Sequence, residues 1–236
     1  VVGLVLGIFL IKKINNKILK PVNNKLIDDF FIWGTLGVII GGRLGYILFY
    51  QTITIFDNPL YIFYVWKGGM SFHGGLIGII IASALFSYYK KINFLYLSDL
   101  ISTVAPIGLF LGRIANFINV ELYGRVTSFP IAIIYPTIDL QRRHPSQIYE
   151  ALLEGILIFL VLILILNKTI YKNRLGINTS IFLVMYGLFR ILIENLREPD
   201  SHIGMIFNYF TMGQLLSFPM IILGILIMII RKNESN

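Results

Sequence analysis

The sixteen residues 151–166, ALLEGILIFLVLILIL, hold one charged side chain, Glu154, and are otherwise apolar or glycine. A surface helix of a soluble domain would show a polar face over that length. Extended back to about residue 146, the run reaches the roughly 20 residues that cross a bilayer as a helix. Working outward, similar runs lie at roughly 1–11, 30–50, 71–89, 95–116, 177–195 and 210–230. Charged residues make up only 14% of the 236-residue chain and hydrophobic ones 56%, whereas about a quarter of a soluble domain is charged. The expected fold class is therefore all-α. It is a single polytopic membrane helical bundle over residues 1–236, with about seven transmembrane helices. The first run starts at Val1 within an apolar stretch and leads into a Lys-rich loop, as the tail of a truncated first helix would.

The basic residues set the expected orientation. One set of connections holds Lys12, Lys13, Lys17, Lys20, Lys25, Lys90, Lys91, Lys168, Lys172, Arg174, Arg231 and Lys232; the alternate set holds Lys67, Arg125, Arg142, Arg143 and Arg197. The first set, with the C-terminus, is expected in the cytoplasm. Segments 51–70, 117–145 and 196–209 then face outside, and 117–145 forms a small outside-facing insertion. The net charge of +8 fits basic loops against anionic membrane lipid better than nucleic acid. Arg43, Arg113 and Arg190 fall within or at the ends of spans. A charge at membrane depth normally faces a bundle interior or a wet cavity, so these arginines suggest a site that handles negative charge.

The chain has no cysteine, so it has no disulfide, thiolate metal site or cysteine nucleophile, and a reacting thiol would have to come from a partner. His73, His144 and His202 do not have metal-ligand spacing, and neither a phosphate loop nor a dinucleotide fingerprint is present. No cofactor and no metal are expected.

Polar residues are densest in Gly112-Arg113-Ile114-Ala115-Asn116-Phe117-Ile118-Asn119-Val120-Glu121-Leu122-Tyr123-Gly124-Arg125. Arg113 and Asn116 share a helix face, and Asn119 joins them if the helix continues. Arg113 offers a planar fork of donors suited to phosphate oxygens, while Asn116 and Asn119 suit hydroxyls or ester carbonyls. Read alone, any one of these groups would simply cap a helix end. His73 lies among glycines in Gly68-Gly69-Met70-Ser71-Phe72-His73-Gly74-Gly75-Leu76. A neutral imidazole there could take a thiol proton or sit hydrogen-bonded at the interface while the glycines pack helices. Tyr186, Arg190, Glu194 and Arg197 form a stripe on one helix face, followed by Glu198-Pro199-Asp200; Arg190 and Glu194 are spaced to pair. His144-Pro145-Ser146-Gln147-Ile148-Tyr149-Glu150 reads as a helix start capped near His144, with Pro145 at the first helical position and Glu150 available to an arginine. In Gly41-Gly42-Arg43-Leu44-Gly45-Tyr46 the glycines suit close helix packing.

Taken together, these motifs resemble the prolipoprotein diacylglyceryl transferase family. The run from Gly112 to Gly124 resembles the family signature throughout its length. The matches at 41–46, 71–76, 144–150 and 190–200 follow in the family's order. The resemblance implies an enzyme of the bacterial cytoplasmic (inner) membrane, multi-pass, with its site towards the outer face and no cofactor. The implied partners are phosphatidylglycerol, the prolipoprotein signal peptide with its lipobox cysteine, and membrane lipids. In the implied reaction the cysteine thiolate attacks the glycerol carbon joined to phosphate, forming a thioether and expelling glycerol-1-phosphate. Arg113 and Arg190 would stabilise the leaving phosphate, and Asn116 and Glu121 would orient the head group or the arginines. Asn119 and Glu194 would complete the substrate site, and Gly124 would allow close backbone approach. His73 would take the thiol proton, or arginine charge alone would activate the thiol. An Arg-Trp-Tyr-Gly element usual in the family's first helix is not present in this sequence. The rival expectation is a transporter of an anionic lipid or solute, against which the lack of a sequence repeat counts.

Overall fold

The computed structural model describes residues 2–15, 22–50, 59–64, 66, 69–167, 174–199 and 209–233. Lys17, Lys20, Lys67, Gly68, Lys168, Lys172, Asp200 and His202, singled out above, lie outside the described residues. The described chain is an all-α membrane protein. Its helices are α1 (Val2–Asn15), α2 (Asn24–Tyr50), α3 (Phe72–Lys90) and α4 (Phe94–Ile118), then α5, α6 (Ile177–Glu194) and α7 (Met212–Asn233). The rod α5 is α-helical over Ser146–Glu150, π-helical over Ala151–Leu157 and α-helical again over Ile158–Asn167. These helices fall on the seven apolar runs of the sequence. Five of them (α2, α4, α5, α6 and α7) are long and apolar enough to cross a membrane. Their polarity is inverted relative to a soluble bundle: Ile80, Leu160, Leu164 and Ile229 are exposed, while Asp99, Glu150, Glu154 and Asn178 are buried. Apolar side chains turned outward suit lipid, and polar ones turned inward must find partners within the protein.

The chain divides into two compact units, one of Val22–Ser98 and the other of Val1–Pro21 with Asp99–Asn236. In the first, Asn23 caps α2 by accepting from the Lys25 amide at 2.9 Å, as an N-terminal asparagine should. Ser71 caps α3 by accepting from Gly74 at 3.2 Å. Glycines let α2 and α3 touch backbone to backbone. A Cβ on Gly41 would lie 2.3 Å from the Gly74 carbonyl oxygen, and one on Gly78 would lie 2.0 Å from that of Gly37. Arg43 is 2% exposed. Its guanidinium donates to the carbonyls of Tyr61 (2.8 Å), Ile62 (3.3 Å) and Gly69 (3.3 Å). Arg43 therefore fastens the 3-10 turn Pro59–Phe63 to α2, a carbonyl-paired solution for an intramembrane charge.

In the other unit, Gly187 of α6 packs on Ile221 of α7, and Gly224 of α7 packs on the Ser180 carbonyl of α6. Gly155, in the π-helical turn of α5, sits against Phe110 of α4. Between α4 and α5 lies a small head. Strands β1 (Ile133–Ile134) and β2 (Arg142–Arg143) pair antiparallel, Ile133 opposite Arg143. Single bridges join Val126 to Arg143 and Gly124 to Arg197. Two local expectations are corrected here. Helix α5 starts at Ser146 because Pro145 has ψ 66, which is not helical, so Pro145 occupies the cap position and makes no side-chain cap bond. Helix α4 stops at Ile118, so Asn119 does not continue the face of Arg113 and Asn116.

Candidate functional site

The site is built on α4, α5 and α6 of the larger unit. Asp99, near the start of α4, fixes the start of α6. Gly176, the residue preceding α6, has no side chain with which to cap it. Asp99 supplies the cap from another helix, accepting from the Gly176 amide at 2.6 Å, the Thr179 amide at 2.8 Å and the Thr179 hydroxyl at 2.7 Å. A carboxylate at a helix N-terminus satisfies open amides and meets the positive end of the helix dipole. Thr103 extends the contact, accepting from Asn178 Nδ2 at 2.7 Å.

At the other ends of these helices lies a cluster of arginines and glutamates. Arg113 Nε is 3.2 Å from Glu150 Oε2, and Arg113 Nη2 is 3.3 Å from Glu154 Oε2. Arg190 Nη1 pairs with Glu150 Oε1, and its Nη2 lies 2.9 Å from Glu194. Arg197 Nη1 is 3.6 Å from Glu150 Oε1. Three guanidiniums thus face three carboxylates, with Glu150 touching all three arginines. The balance matters because removing one partner from a buried ion pair costs about 3–5 kcal/mol. Exposure is unequal: the Arg113 and Arg190 side chains are 13% and 12% exposed, while Glu150 and Glu154 are fully buried. The carboxylates therefore lie behind the guanidiniums. Among the described residues, Arg113 Nη1 and Arg190 Nε have no protein acceptor. The accessible face of the cluster presents donors and positive charge.

One turn further along α4, Asn116 Nδ2 donates to Glu121 Oε2 at 2.8 Å. The end of the helix creates this pair. Val120 N–H donates to the Phe117 carbonyl at 3.2 Å and Glu121 N–H to the Asn116 carbonyl at 2.8 Å. This is a Schellman termination, which folds the second residue past the helix back over the third residue from its end. Those two residues are Glu121 and Asn116. The turn needs a left-handed residue, usually glycine, but Val120 (φ 59) fills the position and Leu122 follows at φ 55. Each costs about 1–2 kcal/mol of backbone strain relative to ordinary geometry.

The remaining sequence candidates divide as follows. Asn119 is exposed just beyond α4. Gly124 is where three backbones converge: its amide donates to the His144 carbonyl at 3.0 Å. A Cβ there would lie 2.4 Å from the His144 oxygen and 2.9 Å from that of Leu196. The close approach is thus to the protein's own chain, and it brings Arg197 to the cluster. His73 stands exposed in the first turn of α3, in the smaller unit. Sequence reasoning did not place Glu154 in the site. The signal available was a lone charge in an apolar run, four residues after Glu150. No group of three or more metal-ligating side chains occurs among the described residues.

The chain also matches known proteins along most of its length. The profile of the prolipoprotein diacylglyceryl transferase family matches residues 1–230. The chain is 52% identical over 224 residues to the phosphatidylglycerol–prolipoprotein diacylglyceryl transferase of Rickettsia typhi, covering 95% of this chain and 86% of that protein. It is 50% identical over 229 residues to the protein of that name from Rickettsia bellii, with 97% and 87% covered. A relative from Rickettsia felis is 51% identical over 224 residues, with 95% and 86% covered.

Proposed function

The chain belongs to the prolipoprotein diacylglyceryl transferase family, and on that premise we propose how its own residues carry out the transfer. The enzyme moves the diacylglyceryl group of phosphatidylglycerol to the lipobox cysteine of a prolipoprotein. The cysteine sulfur forms a bond to the glycerol carbon that carries the phosphate. The carbon–oxygen bond breaks, glycerol-1-phosphate leaves with the electron pair, and the thiol proton is lost. Negative charge grows on the leaving phosphate, and donors fixed in advance around such charge are among the largest contributions to catalysis.

The observation that carries this reading is the pair Arg113 and Arg190, joined through buried Glu150, each partly exposed and each with a donor to spare. These two guanidiniums hold the phosphate. Glu150, Glu154 and Glu194 hold the guanidiniums. Asn116 and Glu121 bind the head-group hydroxyls, with Asn119, exposed just beyond α4, and Gly124 completing the substrate site. His73 takes the thiol proton, or the guanidinium charge releases it to solvent. The enzyme lies in the bacterial inner membrane with the head outside and the C-terminus in the cytoplasm. The excess of lysine and arginine on the alternate connections supports that orientation, and the lipid tails enter from the side.

Purified protein in detergent, given labelled phosphatidylglycerol and a lipobox peptide, should yield lipid-modified Cys peptide and equimolar glycerol phosphate, with none from the Ser peptide. Lipid movement across vesicles without a thioether would instead identify a transporter. Loss of turnover in His73→Gln with a normal pH profile in wild type would assign the base; full activity would leave activation by arginine charge. Because these 236 residues hold no cysteine, Leu140→Cys can be labelled with an impermeant maleimide in intact cells, and protection there would reverse the orientation.

A further inference from the structure

A buried hydrogen-bond chain ends on the strained turn after α4 and has no part in the chemistry above. Tyr135, 4% exposed, donates through its hydroxyl to Gln147 Oε1 at 3.0 Å. Gln147, with no exposed surface, donates through Nε2 to the Glu121 carbonyl at 2.7 Å. Beside it, Ser146 Oγ donates to the Leu122 carbonyl at 2.9 Å. The two carbonyls thus held belong to a turn whose left-handed residues are Val120 and Leu122. Backbone held in such geometry persists only where its surroundings over-determine it. The tyrosine hydroxyl also fixes the amide of Gln147: with Oε1 engaged as acceptor, Nε2 must face the turn.

We infer that Tyr135 and Gln147 are positioning residues for head-group recognition, holding the turn so that the Glu121 carboxylate stays on the Asn116 amide. With one Nδ2 hydrogen committed to Glu121, Asn116 keeps Oδ1 as an acceptor and its second Nδ2 hydrogen as a donor. Such a pair suits the free hydroxyls of a glycerol head group, which both donate and accept. The latch also springs from the first turn of α5, three residues before Glu150. The clamp on the turn and the carboxylate shared by the arginines therefore move together. This inference rests on the proposed role of Asn116 and Glu121 at the head group.

The test is steady-state kinetics of the full chain in detergent with phosphatidylglycerol and the lipobox peptide, on variants first shown to be monodisperse. Tyr135→Phe keeps the ring but frees the Gln147 amide; Gln147→Glu keeps the shape but removes the donor to the turn. Both should raise KM for phosphatidylglycerol by about tenfold, the effect of one lost hydrogen bond. Neither kcat nor KM for the peptide should change materially. Val120→Gly makes the left-handed geometry natural, so adding it to Tyr135→Phe should restore KM. A merely structural role would lower kcat and stability together and would not be rescued at residue 120. An unchanged lipid KM in both variants, or no rescue by Val120→Gly, overturns the latch while leaving the transferase standing. An unaffected Asn116→Ala in an active enzyme would instead remove the head-group reading beneath it.

Discussion

Gly155 and Phe110 meet so closely that a Cβ on the glycine would lie 2.6 Å from the Cβ of the phenylalanine and 3.0 Å from its Cα. The contact lies one turn of α4 below Arg113, so it sets how near the guanidinium comes to Glu150 and Glu154. Gly155→Ala should destabilise by about 1–3 kcal/mol, as overpacking does. It should also lower kcat by moving the arginine off its carboxylates. Gly112, on the same helix, makes the contrast: a Cβ there meets nothing within 4 Å. Gly112→Ala should keep or raise the apparent Tm in detergent, since alanine favours a helix interior by about 0.5–1 kcal/mol. A drop in Tm at Gly112 equal to that at Gly155 would show that packing is not what separates the two positions.

The cluster predicts different failures on its two sides. Arg113→Lys keeps a charge but loses the fork that reaches two carboxylates and that is proposed above to hold the phosphate. Turnover should fall by about 10²–10³-fold with the protein still folded. Glu150→Gln leaves the arginines facing one another, and stability should fall by about 3–5 kcal/mol. Thermal unfolding and turnover measured on both proteins separate the effects. Equal stability in the two variants would contradict the central place of Glu150.

Asp99 acts at a distance from the chemistry. Fourteen residues of helix, about 21 Å at 1.5 Å per residue, separate it from Arg113. Asp99→Ala removes the cap that Gly176 cannot supply and should cost at least about 2 kcal/mol, since hydrogen bonds to a charged group are worth roughly 1.5–3 kcal/mol each. Faster amide exchange in the first turn of α6 should accompany it. Slow exchange there in the variant would mean that another group caps the helix.

The head carries its own pH dependence. Asp139 accepts from Arg143 Nη2 at 2.6 Å, and these hydrogen bonds hold its carboxyl below the usual carboxylate range. A lowered folded-state pKa stabilises at pH above the unfolded value and is lost as pH falls through the folded one. The Asp139–Arg143 contact should therefore be fully formed at neutral pH and weaken only below about pH 4, the ordinary aspartate value, a small effect for a partly exposed pair. Asp139→Asn should abolish that acid transition, as followed by proteolysis of the head. A transition that survives in Asp139→Asn would show that another contact governs the acid response.

The long features of this molecule could be read in its sequence because bilayer crossing writes itself in composition. The apolar runs fell on α1 to α7, and the glycines at 41 and 45 meet the glycine at 74 in α3. The pairing of Arg190 with Glu194 followed from helical spacing. Other features could not be read because their causes lie far apart in the chain. Asp99 and Thr179 are eighty positions apart, and nothing around either marks the other. The termination after Ile118 was hidden because Val120 occupies a position where glycine would have announced it. For the same reason the sequence left open whether Asn119 continues the helix face. The π-helical turn left no mark in the hydrophobic pattern, which is apolar all round.

The contact of α2 with α3 has a consequence for traffic. Where carbonyl oxygens of one helix ride on the bare α-carbons of the other, no methylene chain can slip through, and no side chain is present that could swing aside as a gate. An acyl tail cannot pass between these two helices along that stretch. Nor could an engineer widen the gap by trimming, since there is nothing left to trim; adding bulk would only pry the two helices apart. This seam between two helices was closed by subtraction.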